Sequence, residues 1–457
     1  MYIGVIQSAL PAEDCVPKSR ILWLSLAAAL LACLPVGITA TQQKMDSFNI
    51  DRSRGILRDA YDLVKKHYYD PKIHGLDWDA RYREYEEKIK NAPSIGQAFG
   101  VVAGFLDGLK DSHVFFSPPA RTNRVDYGYR MQLFGDNAFV TRIRPGSDAE
   151  AKLHIGDQVV GFNHFDVNRS DYKQLTYYFW TLAPQQATQL VLRDPAGQQR
   201  EVLVAAKTRQ MKKVLDLTGQ DAGNDIWQLI REEQNSDHIV RQRYVELGDA
   251  MIWKMPEFVL NDSEVDHLFG IARKHKALVL DLRGDPGGYI DTLARMVGSV
   301  LEHDVKIADR KGRKELKPQL AKSRGGNAFT GKLIVLVDSS SASAAELFAR
   351  VVQLEHRGTV LGDHSSGSVM EAHHYPCSQG ADTKVFYGFS ITDADLIMAD
   401  GNSLEHVGVT PDEIMLPTAH DLAAGRDPVL ARAAELAGIP LEPVAAGKLF
   451  PFEWLPL

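Results

Sequence analysis

Apolar residues recur at helical spacing in the first part of the chain. Ile56, Ala60 and Val64 share one helical face, and Asp51 is placed to cap that helix. Two further helical patterns follow it. This spacing predicts a small helical bundle over residues 46–118.

The pattern then changes to short runs in which polar and apolar residues alternate. Ala138 to Ile143 alternates in this way, which is typical of a half-buried strand, and Ser170 to Leu182 has an amphipathic helical pattern. We therefore predict a β-rich domain over residues 122–208. The polar stretch over residues 209–248 predicts a linker.

A strand–turn–helix unit occurs twice in the second half of the chain. The runs Ala277 to Leu282 and Leu333 to Val337 are rich in Leu, Ile and Val, as in strands buried on both faces. Each is followed by small residues and an amphipathic helix. Repeated units of this kind predict a largely parallel sheet. We expect an α/β core over residues 249–440 and a C-terminal tail over residues 441–457.

The turns of these two units are the first candidates for chemistry, because sites in parallel sheets lie where strands end and helices begin. One turn contains Gly287 and Gly288, and the other is a serine run from Ser339 to Ser343. A serine at such a junction lies beside free backbone N–H groups and the positive end of a helix, where an oxyanion is stabilised. The alternative is a serine-rich loop that only caps the helix.

Size and charge narrow the classes of protein. The 457 residues exceed one ordinary domain, and contents of 44% hydrophobic and 24% charged residues are those of a soluble globular protein. The net charge of -7 comes without a long basic run, which argues against nucleic acid as a partner.

The N-terminus has the layout of a secretory signal. Lys18 and Arg20 precede an uncharged apolar run, and Ala40 follows as a cleavage residue. We predict a signal peptide over residues 1–40 and export to the bacterial periplasm or the exterior. The alternatives are an uncleaved membrane anchor and a lipoprotein cleavage box that leaves Cys33 as a lipid anchor.

Two neighbouring motifs stand out in the β-rich stretch, R-P-G-S-D-A-E from Arg144 to Glu150 and L-H-I-G-D-Q-V-V-G-F-N from Leu153 to Asn163. Together they resemble a PDZ domain of the bacterial, circularly permuted kind. Such domains add a peptide to a sheet edge and hold its carboxylate in a backbone loop. A structural insert that binds nothing is the alternative. The resemblance implies that the loop lies at Gly128, Tyr129, Arg130 and Met131.

Three further motifs follow in order: Asp281 to Gly288, Ser341 to Glu346 and Gly408 to Asp412. Together they resemble the core motifs of the C-terminal processing serine peptidases, a family that includes tail-specific proteases and the tricorn core peptidase. The resemblance implies a crotonase- or ClpP-like β-α superhelix as the core, with Ser343 as the nucleophile. It also implies backbone oxyanion donors at Gly287, Gly288 and Ala344.

A serine nucleophile needs a neighbouring base at neutral pH. In the tail-specific branch of the family this base is a lysine. Ser368 stands at the corresponding position here, and no lysine occurs between Ser343 and Lys384. The Ser–Lys pair of that branch is therefore absent.

The tricorn-like branch uses a histidine of a Ser-His pair, oriented through a glutamate that precedes a Gly-Val-x-Pro-Asp motif. This chain has Ser112-His113 and Glu405 at these places. The resemblance implies His113 as general base, Glu405 as the acid that orients it, and Ser112 as an auxiliary hydroxyl. The pair His373-His374 is the nearest rival for the base.

These implications describe an exported serine peptidase that hydrolyses protein or peptide substrates through an acyl-enzyme. The PDZ-like domain would receive the substrate's C-terminus, and the chemistry needs no metal or cofactor. A non-catalytic ligand-binding protein is an alternative, because the vertebrate retinoid-binding interphotoreceptor protein has similar modules. A crotonase-type acyl-CoA enzyme is another, although the signal peptide argues against it since acyl-CoA is cytosolic.

Overall fold

The computed structural model describes residues 45–121, 123–210, 237–380 and 384–455. The predicted signal peptide and residues 211–236 of the predicted linker lie outside these ranges.

Helices occur before, within and after the β-rich parts of the chain. The helix over Tyr172–Thr176 continues as a π-helix over Tyr177–Leu182. The helices are α1 Ser47–His67, α2 Trp78–Lys90, α3 Ile95–Asp107, α4 Asp148–Lys152, α5 Tyr172–Thr176, α6 Asp262–Ala272, α7 Ile290–Gly298, α8 Ala344–Leu354, α9 Ala419–Ala423, α10 Pro428–Leu436 and α11 Pro443–Ala446.

Strands fill most of the chain between α3 and α9. They are β1 Phe115–Ser117, β2 Asn123–Asp126, β3 Tyr129–Phe134, β4 Asn137–Ile143, β5 Gln158–Phe162, β6 Phe165–Asp166, β7 Ala187–Arg193, β8 Gln199–Ala205, β9 Lys207–Gln210, β10 Arg243–Leu247, β11 Ala250–Lys254, β12 Ala277–Asp281, β13 Val305–Gly312, β14 Gln319–Ala321, β15 Lys332–Val337, β16 Thr359–Gly362, β17 Met370–Gln379, β18 Val385–Met398 and β19 Glu413–Ile414.

Helices α1 to α3 pack against one another through their apolar faces. Ile56 and Val64 of α1 are fully buried, as their spacing predicts. Asp46, and not Asp51, caps α1, because the Asp46 carboxylate accepts the Asn49 N–H at 2.7 Å. Asp51 already lies inside the helix, where no first-turn N–H group is left for it to bind.

A six-stranded sheet with the order β10-β11-β12-β15-β16-β19 forms the centre of the second half. Strands β11, β12, β15, β16 and β19 of this sheet run parallel to their neighbours, and β10 pairs with β11 antiparallel. The predicted α/β core is confirmed. Its sheet begins earlier than expected, because β10 lies inside the predicted linker. The alternating polar and apolar residues of this edge strand resemble a polar linker in sequence.

Successive residues of the central strands point into two buried layers. Leu280 packs in one layer with Phe348 of α8. Val279 and Leu336 pack in the other layer with Leu430 of α10. Because both faces of the sheet are covered at its centre, the central strands β12 and β15 are almost entirely hydrophobic.

A second, antiparallel sheet has the order β1-β18-β13-β14, and β17 also pairs with β18. Strand β1 lies within the predicted helical bundle, yet Phe116 pairs with Phe389 of β18. Residues of β13 and β18 enter the buried layer on the α8 side of the central sheet. The segment after α3 is thereby joined to the second half of the chain.

The stretch from β2 to β9, which we call the inserted domain, forms a separate antiparallel sheet with the order β3-β4-β5-β7-β8. Strand β6 pairs with β5, and β2 pairs with β9 as a two-stranded ribbon. The order makes β3 an edge strand, with α5 nearby in the same domain.

Within the ranges that the structure describes, every helix is too short or too polar to cross a membrane.

Leu336→Ala tests the packing of the central sheet. Leu336 is fully buried between the sheet and α10, so its truncation should lower the free energy of unfolding by about 2–5 kcal/mol. Leu203→Ala on β8 is the matched control, because Leu203 is 59% exposed; we expect a change below about 0.5 kcal/mol. Denaturant titration followed by circular dichroism measures both, and equal losses would contradict the proposed core.

Candidate active site

Ser343 lies at the junction between strand β15 and helix α8, as the residue that precedes the helix. Its backbone angles are φ 54° and ψ −116°, a conformation that costs a non-glycine residue about 1–3 kcal/mol. The turn is tied to the one after β12. The Ser341 hydroxyl donates to the Leu282 carbonyl at 2.8 Å, and the Ala342 N–H donates to the Asp285 carbonyl at 2.9 Å. These bonds hold the half-buried Ser343 at the edge of the sheet.

A buried carboxylate in the first turn of α8 joins Ser343 to the loop after β16. Glu346 Oε2 accepts the N–H groups of Ser343 and Ser368, both at 3.0 Å. Its Oε1 accepts the Ser365 hydroxyl at 2.5 Å and the Gly367 N–H at 2.8 Å. The Ser343 N–H also donates to the Ser368 carbonyl at 2.8 Å. Burial raises the pKa of Glu346, and the hydrogen bonds oppose that rise. The motif analysis assigned Glu346 no role.

Two N–H groups of the predicted oxyanion site are available to bind an oxyanion. Gly287 is so close that a Cβ there would lie 2.7 Å from Ser343 Cβ and 2.9 Å from Ala344 N. The Gly287 N–H itself donates to Asp285 Oδ1 at 2.7 Å. In the described part of the chain, the N–H groups of Gly288 and Ala344 have no acceptor. The geometry therefore favours Gly288 over Gly287 as the partner of Ala344 in the predicted oxyanion site.

Ser112, His113 and Glu405 lie together although 293 residues separate Ser112 from Glu405. Glu405 accepts the Ser112 N–H on Oε1 at 2.7 Å and the Ser112 hydroxyl on Oε2 at 2.8 Å. Ser112 Oγ lies 2.9 Å from His113 Nδ1. Because the single hydroxyl proton goes to Glu405, Nδ1 must donate to Ser112 Oγ. The other ring nitrogen, Nε2, then keeps the lone pair of a base.

The backbone of His113 is held by its neighbour Asp111. Asp111 Oδ1 accepts the His113 N–H at 2.9 Å and the Thr392 hydroxyl of β18 at 2.7 Å. Burial, together with the charge of Glu405, raises the pKa of Asp111 to about 6.

The half-buried environment of the His113 ring disfavours its protonated form. Burial lowers the pKa of His113 to about 4; the charge of Glu405 opposes this change and the charge of Lys173 adds to it. A general base must be unprotonated in the resting enzyme, so this environment suits the predicted role of His113.

The serine turn and the histidine segment meet at Val369. Its N–H donates to Glu405 Oε2 at 2.9 Å, and the preceding residue, Ser368, accepts the Ser343 N–H. Among the described residues no hydrogen bond joins the Ser343 hydroxyl to His113. Catalytic hydrogen bonds often form fully only in the substrate complex. The structure thus binds the Ser343 turn and the Glu405–Ser112–His113 group to two neighbouring residues, Ser368 and Val369.

The rival pair His373-His374 lies on strand β17. His373 is largely exposed, and its Nε2 lies 3.2 Å from Asp393 Oδ2. The His374 ring contacts the ring of Phe115. Neither contact leads to Ser343, so the geometry favours His113 as the base.

Two cations of the inserted domain reach the loop after β16. Lys173 donates to Ser368 Oγ at 2.6 Å and to the Ser366 hydroxyl. Arg169 donates to the carbonyls of His364 at 2.5 Å and Ser365 at 3.3 Å. Neither cation is predicted from the sequence, because their partners are nearly 200 residues away and no local pattern marks such a contact.

The predicted carboxylate loop is not a free loop. Gly128 is a turn residue with φ 72°, but residues 129–131 begin the edge strand β3. The Arg130 guanidinium pairs with Asp237 at 2.5 Å, and the Met131 carbonyl accepts the Tyr172 hydroxyl at 2.7 Å. The Arg130 side chain and the Met131 carbonyl are therefore already bonded within the chain.

Two family models match the chain. Residues 251–415 match the model of peptidase family S41, and residues 52–94 match the tricorn protease C1 domain.

Curated relatives are similar over different lengths. The putative tricorn protease homolog 2 of Streptomyces coelicolor is 26% identical over 416 residues, which cover 83% of this chain and 32% of that protein. A carboxy-terminal-processing protease of Bartonella bacilliformis is 29% identical over 166 residues, 36% of each protein. The chain thus spans about a third of the length of these relatives.

Solved structures share the fold at low identity. Mature CPAF aligns with a TM-score of 0.60 at 15% identity and covers 82% of this chain and 95% of its own. The photosystem II D1 C-terminal processing protease aligns with a TM-score of 0.51 at 16% identity, covering 87% and 99%.

Gly288→Ala tests the oxyanion loop. Gly288 has φ 152°, and a Cβ there would lie 2.3 Å from the Phe258 carbonyl oxygen, so the loop must shift. We expect labelling of Ser343 by a fluorophosphonate to slow by about 100-fold or more, as on loss of an oxyanion donor.

Gly284→Ala is the control for backbone strain in the same loop. Gly284 also has positive φ, 76°, but nothing lies within 4 Å of a Cβ there. We expect a loss of about 1–2 kcal/mol in stability and no large change in labelling. Similar labelling losses in the two variants would contradict the assignment of the Gly288 N–H.

Proposed function

As the chain belongs to peptidase family S41, we propose that it is an exported serine peptidase that cleaves protein or peptide substrates through an acyl-enzyme on Ser343. The observation that carries the proposal is the hydrogen-bond relay from Glu405 through Ser112 to His113. This relay lies beside the loop that accepts the Ser343 N–H.

Acylation uses the free nitrogen of the histidine. The Ser343 hydroxyl attacks the scissile carbonyl carbon, and His113 Nε2 takes the hydroxyl proton. The carbonyl oxygen becomes negative, and the N–H groups of Gly288 and Ala344 stabilise it. Each such donor is worth about 2.7–4 kcal/mol in the transition state. His113 then gives its proton to the leaving amine, the C–N bond breaks, and the acyl-enzyme remains.

Deacylation repeats these steps with water. His113 takes a proton from a water molecule while the water oxygen attacks the acyl carbon. His113 then gives this proton to Ser343 Oγ as the ester bond breaks. In both steps the imidazolium is transient. Its Nδ1–H donates to Ser112 Oγ, and the Ser112 hydroxyl donates to the Glu405 carboxylate. Through this chain of hydrogen bonds the negative charge of Glu405 stabilises the imidazolium.

The alternative of a non-catalytic binding protein has less support. A histidine tied at Nδ1, with Nε2 left free beside a strained serine, serves proton transfer. A protein that only binds a ligand needs no such arrangement, and no contact among the described residues favours that function.

Substrate recruitment is a separate part of the proposal. The inserted domain, as a PDZ-like domain, would pair the substrate's C-terminal segment with its edge strand β3. The strand's carbonyls at Met131 and Leu133 now accept the hydroxyls of Tyr172 and Ser339. A peptide can add to this edge only where such bonds open.

Fluorophosphonate labelling of the purified protein tests the nucleophile and the base together. We expect a single adduct on Ser343, mapped by mass spectrometry, that is lost in Ser343→Ala and reduced at least about 100-fold in His113→Ala. Ser340→Ala is the matched control, because Ser340 is an exposed serine of the same turn, and it should label like the wild type.

Two results would count against this function. A label that survives in His113→Ala would assign the base to another residue. A folded wild-type protein without any label would remove the serine peptidase proposal and leave the binding function.

Export is tested by expressing the full chain in a bacterial host with two membranes. We expect periplasmic protein whose N-terminal mass shows cleavage after Ala40, and retention in the cytoplasm when Lys18 and Arg20 are both changed to Glu. A lipid label that is lost in Cys33→Ser would show a lipid anchor instead. Wild-type protein of full length in the cytoplasm would contradict export.

A further inference from the structure

The Lys173 side chain extends from the inserted domain to the loop beside Ser343. It lies on α5 of the inserted domain, yet its ammonium group donates to Ser368 Oγ at 2.6 Å and to the Ser366 hydroxyl. These two hydroxyls are themselves 2.9 Å apart. Ser368 also accepts the Ser343 N–H with its carbonyl. Ser368 therefore links Lys173 to the nucleophile Ser343 through two hydrogen bonds.

The charge of Lys173 is not neutralised by a direct ion pair. Among the described residues its ammonium group contacts hydroxyls and no carboxylate. Burial of the ammonium group lowers the pKa of Lys173; the charges of Glu346 and Glu405 oppose this change, and the charge of Arg169 adds to it. The ammonium group thus brings a positive charge into the site without contacting either carboxylate.

We infer that Lys173 is a positioning residue of the peptidase site: it holds the hydroxyls of Ser366 and Ser368, and it places a positive charge at the loop whose next residue, Val369, binds Glu405. The inference rests on the proposed function, because it gives a role to a group next to the proposed base. It also makes the inserted domain a contributor to the site itself.

The neutral form of His113 is the one that can take the Ser343 proton. A second positive charge nearby makes protonation of the ring from solvent less favourable, since like charges repel. Removing the Lys173 charge should therefore raise the pKa of His113, and the base would be lost to protonation at a higher pH.

Other titratable groups lie on or against the histidine segment. Lys110 and Asp111 belong to the segment itself, and Glu405 and His406 contact it from the loop before β19. His406 Nε2 lies 3.5 Å from Glu405 Oε1. Lys173 is the cation among these elements that adds to the lowering of the His113 pKa, whereas Glu405 opposes it. The variants below leave all of these other groups unchanged.

Two substitutions separate the charge from the hydrogen bonds. Lys173→Gln removes the charge but keeps an N–H donor for the serine hydroxyls. Lys173→Arg keeps the charge. Arg169→Gln is the matched control from the same stretch, because Arg169 holds the loop through the carbonyls of His364 and Ser365.

The measurement is the second-order rate constant of fluorophosphonate labelling of Ser343 between pH 3.5 and 8, with circular dichroism to show that each variant is folded. The wild-type rate should fall on the acid side with a midpoint near the His113 pKa of about 4. In Lys173→Gln the midpoint should move up by about 0.5–1 pH unit. In Lys173→Arg it should stay, and Arg169→Gln should change the rate without moving the midpoint.

An unchanged midpoint in folded Lys173→Gln would overturn the inference, and so would an equal shift in Arg169→Gln. A wild type that does not label at all counts against the proposed function instead. In that case the ring titration of His113, followed by NMR in wild type and Lys173→Gln, decides the role of Lys173: a higher pKa in the variant supports it, and equal pKa values reject it.

Discussion

The buried carboxylate of Glu346 is the interaction on which the serine site depends. It accepts the backbone N–H groups of Ser343, Gly367 and Ser368 and the hydroxyl of Ser365. The Ser343 N–H also has the Ser368 carbonyl as an acceptor, but without Glu346 the N–H groups of Gly367 and Ser368 and the Ser365 hydroxyl would be left unpaired, at about 1–3 kcal/mol each. One side chain in the first turn of a helix therefore holds the strained nucleophile and the neighbouring loop in a fixed relation.

The other groups of the site come from parts of the chain that are distant in sequence from Ser343 and Glu346. The parallel neighbours β12 and β15 bring the Gly288 loop and the Ser343 turn to one edge of the central sheet. Strand β18 binds both β1 and the side chain of Asp111, and so places the segment that carries His113. The central sheet is buried on both faces, which gives these loops a rigid base.

Local patterns in the sequence predicted what depends on local structure. Hydrophobic runs and their spacing predict the buried strands, the helix after Ser343 and the α/β core. The resemblance to the family motifs implies Ser343, His113 and Glu405 as site residues. Contacts between distant residues left no such pattern. Lys173 reaches Ser368 from another domain, and the choice of Gly288 over Gly287 depends on where the Asp285 side chain points. The sequence of β10 predicts a linker, because an edge strand with one solvent-exposed face contains many polar residues.

The position of the proton on the His113 ring tests the relay most directly. NMR of the protein with ¹⁵N-labelled histidine, assigned with His113→Gln, distinguishes the two neutral forms of the ring at pH 7. The relay from Glu405 through Ser112 predicts a proton on Nδ1 and a free Nε2. A proton on Nε2, or a ring that is positively charged at this pH, would contradict the account, because neither form can take the proton of Ser343.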